Sequence, residues 1–89
     1  MPVVMVHVQV KDFDAWKAVF DSTAGLRSAN GFTSTRVLRS ADDANDVIIE
    51  SETHDLAKAK QFLTSPEMRE TMVKAGVLGP PTMHFLDVP

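Results

Sequence analysis

Eight residues near the N-terminus, Val3 to Val10, constrain the fold more than any other stretch of the chain. They are β-branched and mostly apolar on both faces. Val4, Val6, Val8 and Val10 point one way, and Val3, Met5, His7 and Gln9 the other. A strand apolar on both faces sits centrally in its sheet, so the rest of the chain must supply neighbours on either side of it. All of this has to fit into 89 residues, which is one domain spanning 1–89. At that length roughly 60–65% of the unfolded surface can be buried, a thin core that association commonly enlarges.

Beyond the strand the apolar spacing changes to three and four. Asp12 offers an N-cap, with Asp14 in the first turn where the helix dipole favours an acid. Phe13, Trp16, Phe20, Ala24 and Arg27 then share one helical face, and Asp14, Lys17, Asp21 and Ser28 the other. Asn30-Gly31 is the expected stop, since either residue tolerates positive φ, and Gly25 predicts fraying of the last turn. Phe32 to Ser40 and Val47 to Thr53 read as strands joined by the polar turn from Ala41 to Asp46. With residues 40 and 46 facing each other, Leu38 pairs with Ile48, Arg36 with Glu50 and Ser34 with Glu52. Val37 then meets Ile49, and Thr35 meets Ser51.

After His54-Asp55 a short helix presents Leu56, Ala59, Phe62 and Leu63. Ser65 caps another, with Pro66 at N1 and Glu67 in the first turn; this helix buries Met68, Met72 and Ala75 and stops near Gly76. Gly79-Pro80-Pro81 reads as a rigid turn before a last strand from Thr82 to Val88. The order βαββαβ with right-handed crossovers predicts an α+β, ferredoxin-like fold: a four-stranded antiparallel sheet with helices on one face. The uncovered face is expected to carry too much Val, Met and Phe for a monomer, which predicts a homodimer with the helix-free faces together.

Composition removes several function classes. With no cysteine there is no disulfide scaffold, thiolate chemistry or sulfur-ligated metal. A net charge of −3 and a pI near 5.4 argue against nucleic acid and anionic membranes as partners. The N-terminus lacks a basic n-region and no apolar run approaches the ~20 residues of a membrane span, so the expected location is the cytoplasm. No GxGxxG, P-loop, HExxH or nucleophile elbow occurs, which leaves nucleotide cofactors and the common hydrolase mechanisms without support. Neither an organic cofactor nor a metal is expected.

Three stretches carry a resemblance: His7 to Lys17 (HVQVKDFDAWK), Ser65 to Met68 (SPEM) and Gly76 to Pro81 (GVLGPP). With the element order, they resemble the dimeric α/β-barrel superfamily of antibiotic-biosynthesis-monooxygenase-like, stress-responsive and cyclase-like small proteins. That likeness covers essentially the whole chain. It implies two sheets packed face to face as a barrel, with small aromatic ligands between sheet and helices. Its oxygenase members need no metal or flavin and surround substrate with Trp, Asn, Tyr or Arg. This chain has no tyrosine and one tryptophan, so no oxygenase residue set is carried over.

The candidate catalytic residues are His7 and His84, on neighbouring first and last strands, where they either bracket a ligand and relay a proton or are simply structural. Two histidines without a third ligand make a poor zinc site. Trp16 and Phe20, one helical turn apart, are core aromatics that can also wall a pocket for a flat ligand, with Phe62 and Met72 converging from the second helical segment. Together these six residues predict a pocket between sheet and first helix, preformed near Gly79-Pro80-Pro81 and suited to a small hydrophobic or aromatic molecule. Arg27, closing the aromatic stripe, either binds a ligand carboxylate or extends to solvent. Glu50 either pairs with Arg36 across the hairpin or serves as a base near His7, and Glu52 shares its face. Function therefore divides between two readings. One is a cofactor-independent monooxygenase, cyclase or isomerase acting on a small aromatic or polyketide-like molecule. The other is a non-catalytic ligand-binding or stress-associated dimer.

Overall fold

The computed structural model describes residues 1–89. Strand β1 (Val3–Val10) is followed by helices α1 (Phe13–Ser22) and α2 (Ala24–Ala29), then strands β2 (Phe32–Arg39) and β3 (Asp46–Thr53). Helices α3 (Leu56–Leu63) and α4 (Pro66–Lys74) lead to β4 (Val77–Leu86). One antiparallel sheet results, in the order β2-β3-β1-β4, with the helices on one face. This is the ferredoxin-like arrangement, and β1 is indeed central. No helix is long and apolar enough to cross a membrane.

The valine alternation decides which way the sheet faces. Val4, Val6, Val8 and Val10 are buried beneath the helices with Val47, Trp16, Phe32, Ala59 and Ala75. Only 12 of 89 residues are buried, which is the thin core expected of the length. The β2–β3 hairpin has the expected register from Ser34–Glu52 to Leu38–Ile48, with a shift only between Phe32 and Ser34, and is closed by Ser40 N–H donating to Asp46 O at 2.9 Å. Thr53 is fully buried, yet its hydroxyl is satisfied: it donates to Gly31 O at 3.0 Å and accepts from Asp55 N–H at 3.1 Å. This ties the α2–β2 turn to the β3–α3 junction. Gly31 holds φ +90° there, a conformation that strains any residue with a Cβ.

Three expectations are corrected. The first helical stripe does not run unbroken to Asn30; it divides at Thr23. Ser22 and Thr23 hydroxyls donate back to Val19 O and Phe20 O, competing with the backbone ladder, and Gly25 adds little to hold the next turn. Second, Gly79-Pro80-Pro81 is not a turn ahead of the last strand. The strand begins at Val77 and passes through all three, and the register slips between the pairs His7–Thr82 and Gln9–Leu78. β4 is an edge strand, where residues lacking an N–H are tolerated as a bulge. Third, Phe85 belongs to the helix side, because it lies opposite Val4, so the helix-free face is less apolar than expected.

Candidate functional site

Helix α1 builds the site. The Asp12 carboxylate accepts from Ala15 N–H at 3.1 Å, and Asn45 Oδ1, from the β2–β3 turn, accepts from Phe13 N–H at 3.0 Å. Both bonds hold the first turn against the sheet, so the stripe that follows has a defined orientation. Phe13 and Trp16 rings lie 5.8 Å apart, and Trp16 stacks on Phe20 at 4.9 Å with 26° between planes. A guanidinium closes each end of this ladder: Arg39 lies 4.3 Å over Phe13 and Arg27 3.7 Å over Phe20. Aromatic contacts of this kind add to simple area burial, and the cation on each open face adds further.

Beneath the ladder, between sheet and helices, lies a cavity of about 90 Å³. Fourteen of its eighteen lining residues are hydrophobic, so an occupant must be chiefly apolar. Val4, Val6 and Val8 form its floor with Ile49; Trp16, Val19 and Phe20 wall it from α1; Phe62, Met68 and Met72 come from α3 and α4. The polar lining is Thr23, Arg27, Ser51 and Thr71, which includes no carboxylate and no imidazole. Ser51 and Thr35 hydroxyls bond each other at 3.0 Å, and Phe62 meets Phe32 edge-on at 6.0 Å. Outside the cavity, an open groove of about 500 Å³ runs between α1, α2 and the edge strand β2. Phe20, Arg27 and Phe32 line both spaces and form the partition between them.

No family model matches the chain, and no curated protein sequence matches it. Solved structures do. A candidate antibiotic biosynthesis monooxygenase from Bordetella bronchiseptica superposes with a TM-score of 0.81 at 14% identity, over 99% of this chain and 96% of that one. One from Nitrosomonas europaea gives 0.74 at 18% identity, covering 99% and 98%. SnoaB, a cofactor-independent oxygenase from Streptomyces nogalater, gives 0.72 at 16% identity, covering 99% and 94%. The chain has the fold of the antibiotic biosynthesis monooxygenase-like proteins.

Within this monooxygenase-like fold the six sequence candidates divide between two faces. Trp16, Phe20, Phe62 and Met72 all line the cavity. His7 and His84 do not, and the expectation of one pocket holding all six is corrected here. His7 alternates with the buried valines and therefore points to the helix-free side. His84 lies opposite Met5 and does the same, diagonal to His7. There His7 Nε2 contacts Asp46 Oδ1 at 2.5 Å in an exposed pair. No third His, Asp or Glu joins them in a metal-binding arrangement. Arg36 Nε donates to Glu50 Oε1 at 3.0 Å, the ion-pair reading of Glu50, on the same helix-free face. Glu52 shares that face, opposite Val3.

Arg27 takes neither of its expected courses in full. It does not extend to solvent: it folds back over Phe20, and its Nη1 donates to Phe20 O at 2.9 Å and to Thr23 Oγ1 at 3.0 Å. Burial holds its guanidinium below the ordinary arginine pKa, with the Asp21 charge pulling the other way. The turn at Gly79-Pro80-Pro81 is absent from the cavity wall, where Val77 is the sole β4 residue. The cavity instead borders the β2 groove, at Phe20, Arg27 and Phe32. Val19, Leu63 and Met68 are wall residues that sequence reasoning missed: helical spacing marked Leu63 and Met68 only as apolar, and Val19 falls outside the stripe read for the first helix.

Proposed function

We propose that the chain is a cofactor-independent enzyme, a monooxygenase, cyclase or isomerase, acting on a small aromatic or polyketide-like molecule held between sheet and helices. The observation that supports this is the apolar cavity walled by the stacked Trp16 and Phe20. Likeness to SnoaB, a cofactor-independent oxygenase, agrees with it at the level of fold. The chemistry asks little of the protein if the substrate supplies its own electrons. An activated CH₂ reacting with O₂ gives C=O and water, with one oxygen atom entering product and no external reductant. What the protein must do is exclude water from an easily deprotonated substrate and favour its anion electrostatically. Arg27 is the only charged group on the wall able to do so.

The functional unit in this proposal is a homodimer joined through the helix-free faces. That face carries Met5, Ile48, Leu38 and Leu86 among its polar residues, and Leu38 and Leu86 are exposed. His7 and His84 then belong to the subunit interface rather than to the cavity.

A second reading has its own support: no acid–base group lies on the cavity wall, as a non-catalytic ligand-binding dimer would require nothing more. One experiment separates the two. Chelator-treated protein is incubated under air with a panel of aromatic ketones and phenols of one to three rings that carry an activated CH₂, following dissolved oxygen and product mass. Protein-dependent oxygen uptake, or isomerised or cyclised product, supports the enzyme. Ligands that bind without any turnover across the panel overturn it in favour of the binding dimer.

A further inference from the structure

Arg27 is the one charged side chain on the cavity wall, and it is only half-exposed. None of the four ion pairs of the chain includes it; the nearest acid, Asp21, is held by Lys17 at 2.7 Å. A guanidinium has five N–H donors, and here only Nη1 is engaged, by Phe20 O and Thr23 Oγ1. Nε and Nη2 are left with no protein acceptor. A partly desolvated cation whose one nearby acid, Asp21, is already paired with Lys17 is costly to keep unless something else supplies an anion. Its position matters too: with Phe20 and Phe32 it separates the apolar cavity from the open groove, which Lys17, Asp21 and Thr33 also line.

From this geometry we propose that the site selects an anionic ligand, a flat aromatic carboxylate whose acid group pairs with Arg27 at the partition while its ring enters the cavity past Phe20. The proposal rests on the reading of the cavity as a ligand site and adds the charge of the ligand to it. With Phe20 in place the cavity, at about 90 Å³, is smaller than the ~150 Å³ known to admit benzene in an engineered apolar core. Entry of a ring therefore requires Phe20 to turn aside, which breaks its stack with Arg27. A neutral ligand leaves Arg27 with nothing in exchange. A carboxylate replaces a cation–π contact with a charge-assisted, fork-shaped pair, the stronger of the two. The open groove leaves the rest of the acid group to water.

The test uses benzoate and its neutral isostere benzamide. Trp16 is the only tryptophan, so ¹⁵N-labelled protein shows one indole N–H signal, and that signal reports the cavity wall. At neutral pH both compounds are expected to move it, with benzoate binding about tenfold or more tightly. Arg27→Gln should erase that preference, bringing the affinities of the two compounds within about twofold of each other, while Arg27→Lys, retaining a cation without the fork, keeps part of it. Equal affinity of the two compounds for the unaltered protein overturns the anion assignment and leaves the cavity reading standing. A preference that survives Arg27→Gln overturns it as well. If neither compound moves the indole signal, the cavity reading itself falls. The comparison in unaltered protein needs no variant, so misfolding of Arg27→Gln does not protect the proposal.

Discussion

Trp16 joins two functions in one side chain. It is buried in the core and also walls the cavity, so its loss should be felt in both stability and ligand binding. Trp16→Ala is expected to lower unfolding stability by about 3–5 kcal/mol in urea denaturation, near the limit for a domain this small. Lys74→Ala is the opposite case: its i,i+4 partner Glu70 is exposed, and a loss of no more than about 1 kcal/mol is expected in the same assay. The aromatic stripe was legible because helical spacing of large apolar residues has few explanations. Strand alternation likewise placed His7 opposite the valines, but the adjacency of two histidines on neighbouring strands suggested a shared pocket. Sharing a face is what alternation allows, and it says nothing of which face the helices cover until Trp16 and the valines are seen to pack together. Arg27 was undecidable from sequence, because its rotamer depends on the break at Thr23.

Among the elements, those with unambiguous end signals were legible to within a residue. Asp12, Asp55 and Ser65 all cap the helices that follow them, accepting from Ala15, Lys58 and Met68 N–H. Where two signals competed, the reading failed. Gly79-Pro80-Pro81 carries every local mark of a turn, yet an edge strand absorbs it as a bulge because its outward N–H groups need no partner. The turn at Gly31 offers a test at this scale. A Cβ there would meet Thr53 Oγ1 at 3.5 Å, an ordinary contact, so space is not limiting. The positive φ is, and Gly31→Ala should cost about 1–2 kcal/mol by thermal or chemical denaturation. A neutral effect would mean the turn relaxes to another conformation.

At the level of the molecule, the proposal gives the two faces of the sheet different work: ligand on the helix side, a second copy on the other. A monomer of 9.8 kDa exposes about 5,200 Å² on the usual scaling, and this chain exposes 5525 Å². The total is thus close to that of an ordinary monomer, and the case for a dimer rests on the apolar side chains of the helix-free face, Met5, Leu38, Ile48 and Leu86. Sedimentation at low micromolar concentration should therefore find a dimer, and Ile48→Glu, placing an acid beside Glu50 on that face, should shift it toward monomer; a 9.8 kDa species of unchanged stability contradicts the assembly. The division between faces is tested most directly with ¹³C-methyl-labelled methionine. Met68 and Met72 line the cavity, whereas Met5 sits on the helix-free face opposite Glu50 and His84. On titration with benzoate the account predicts shifts at Met68 and Met72 with Met5 unmoved, and a Met5 shift with Met68 and Met72 silent would contradict it.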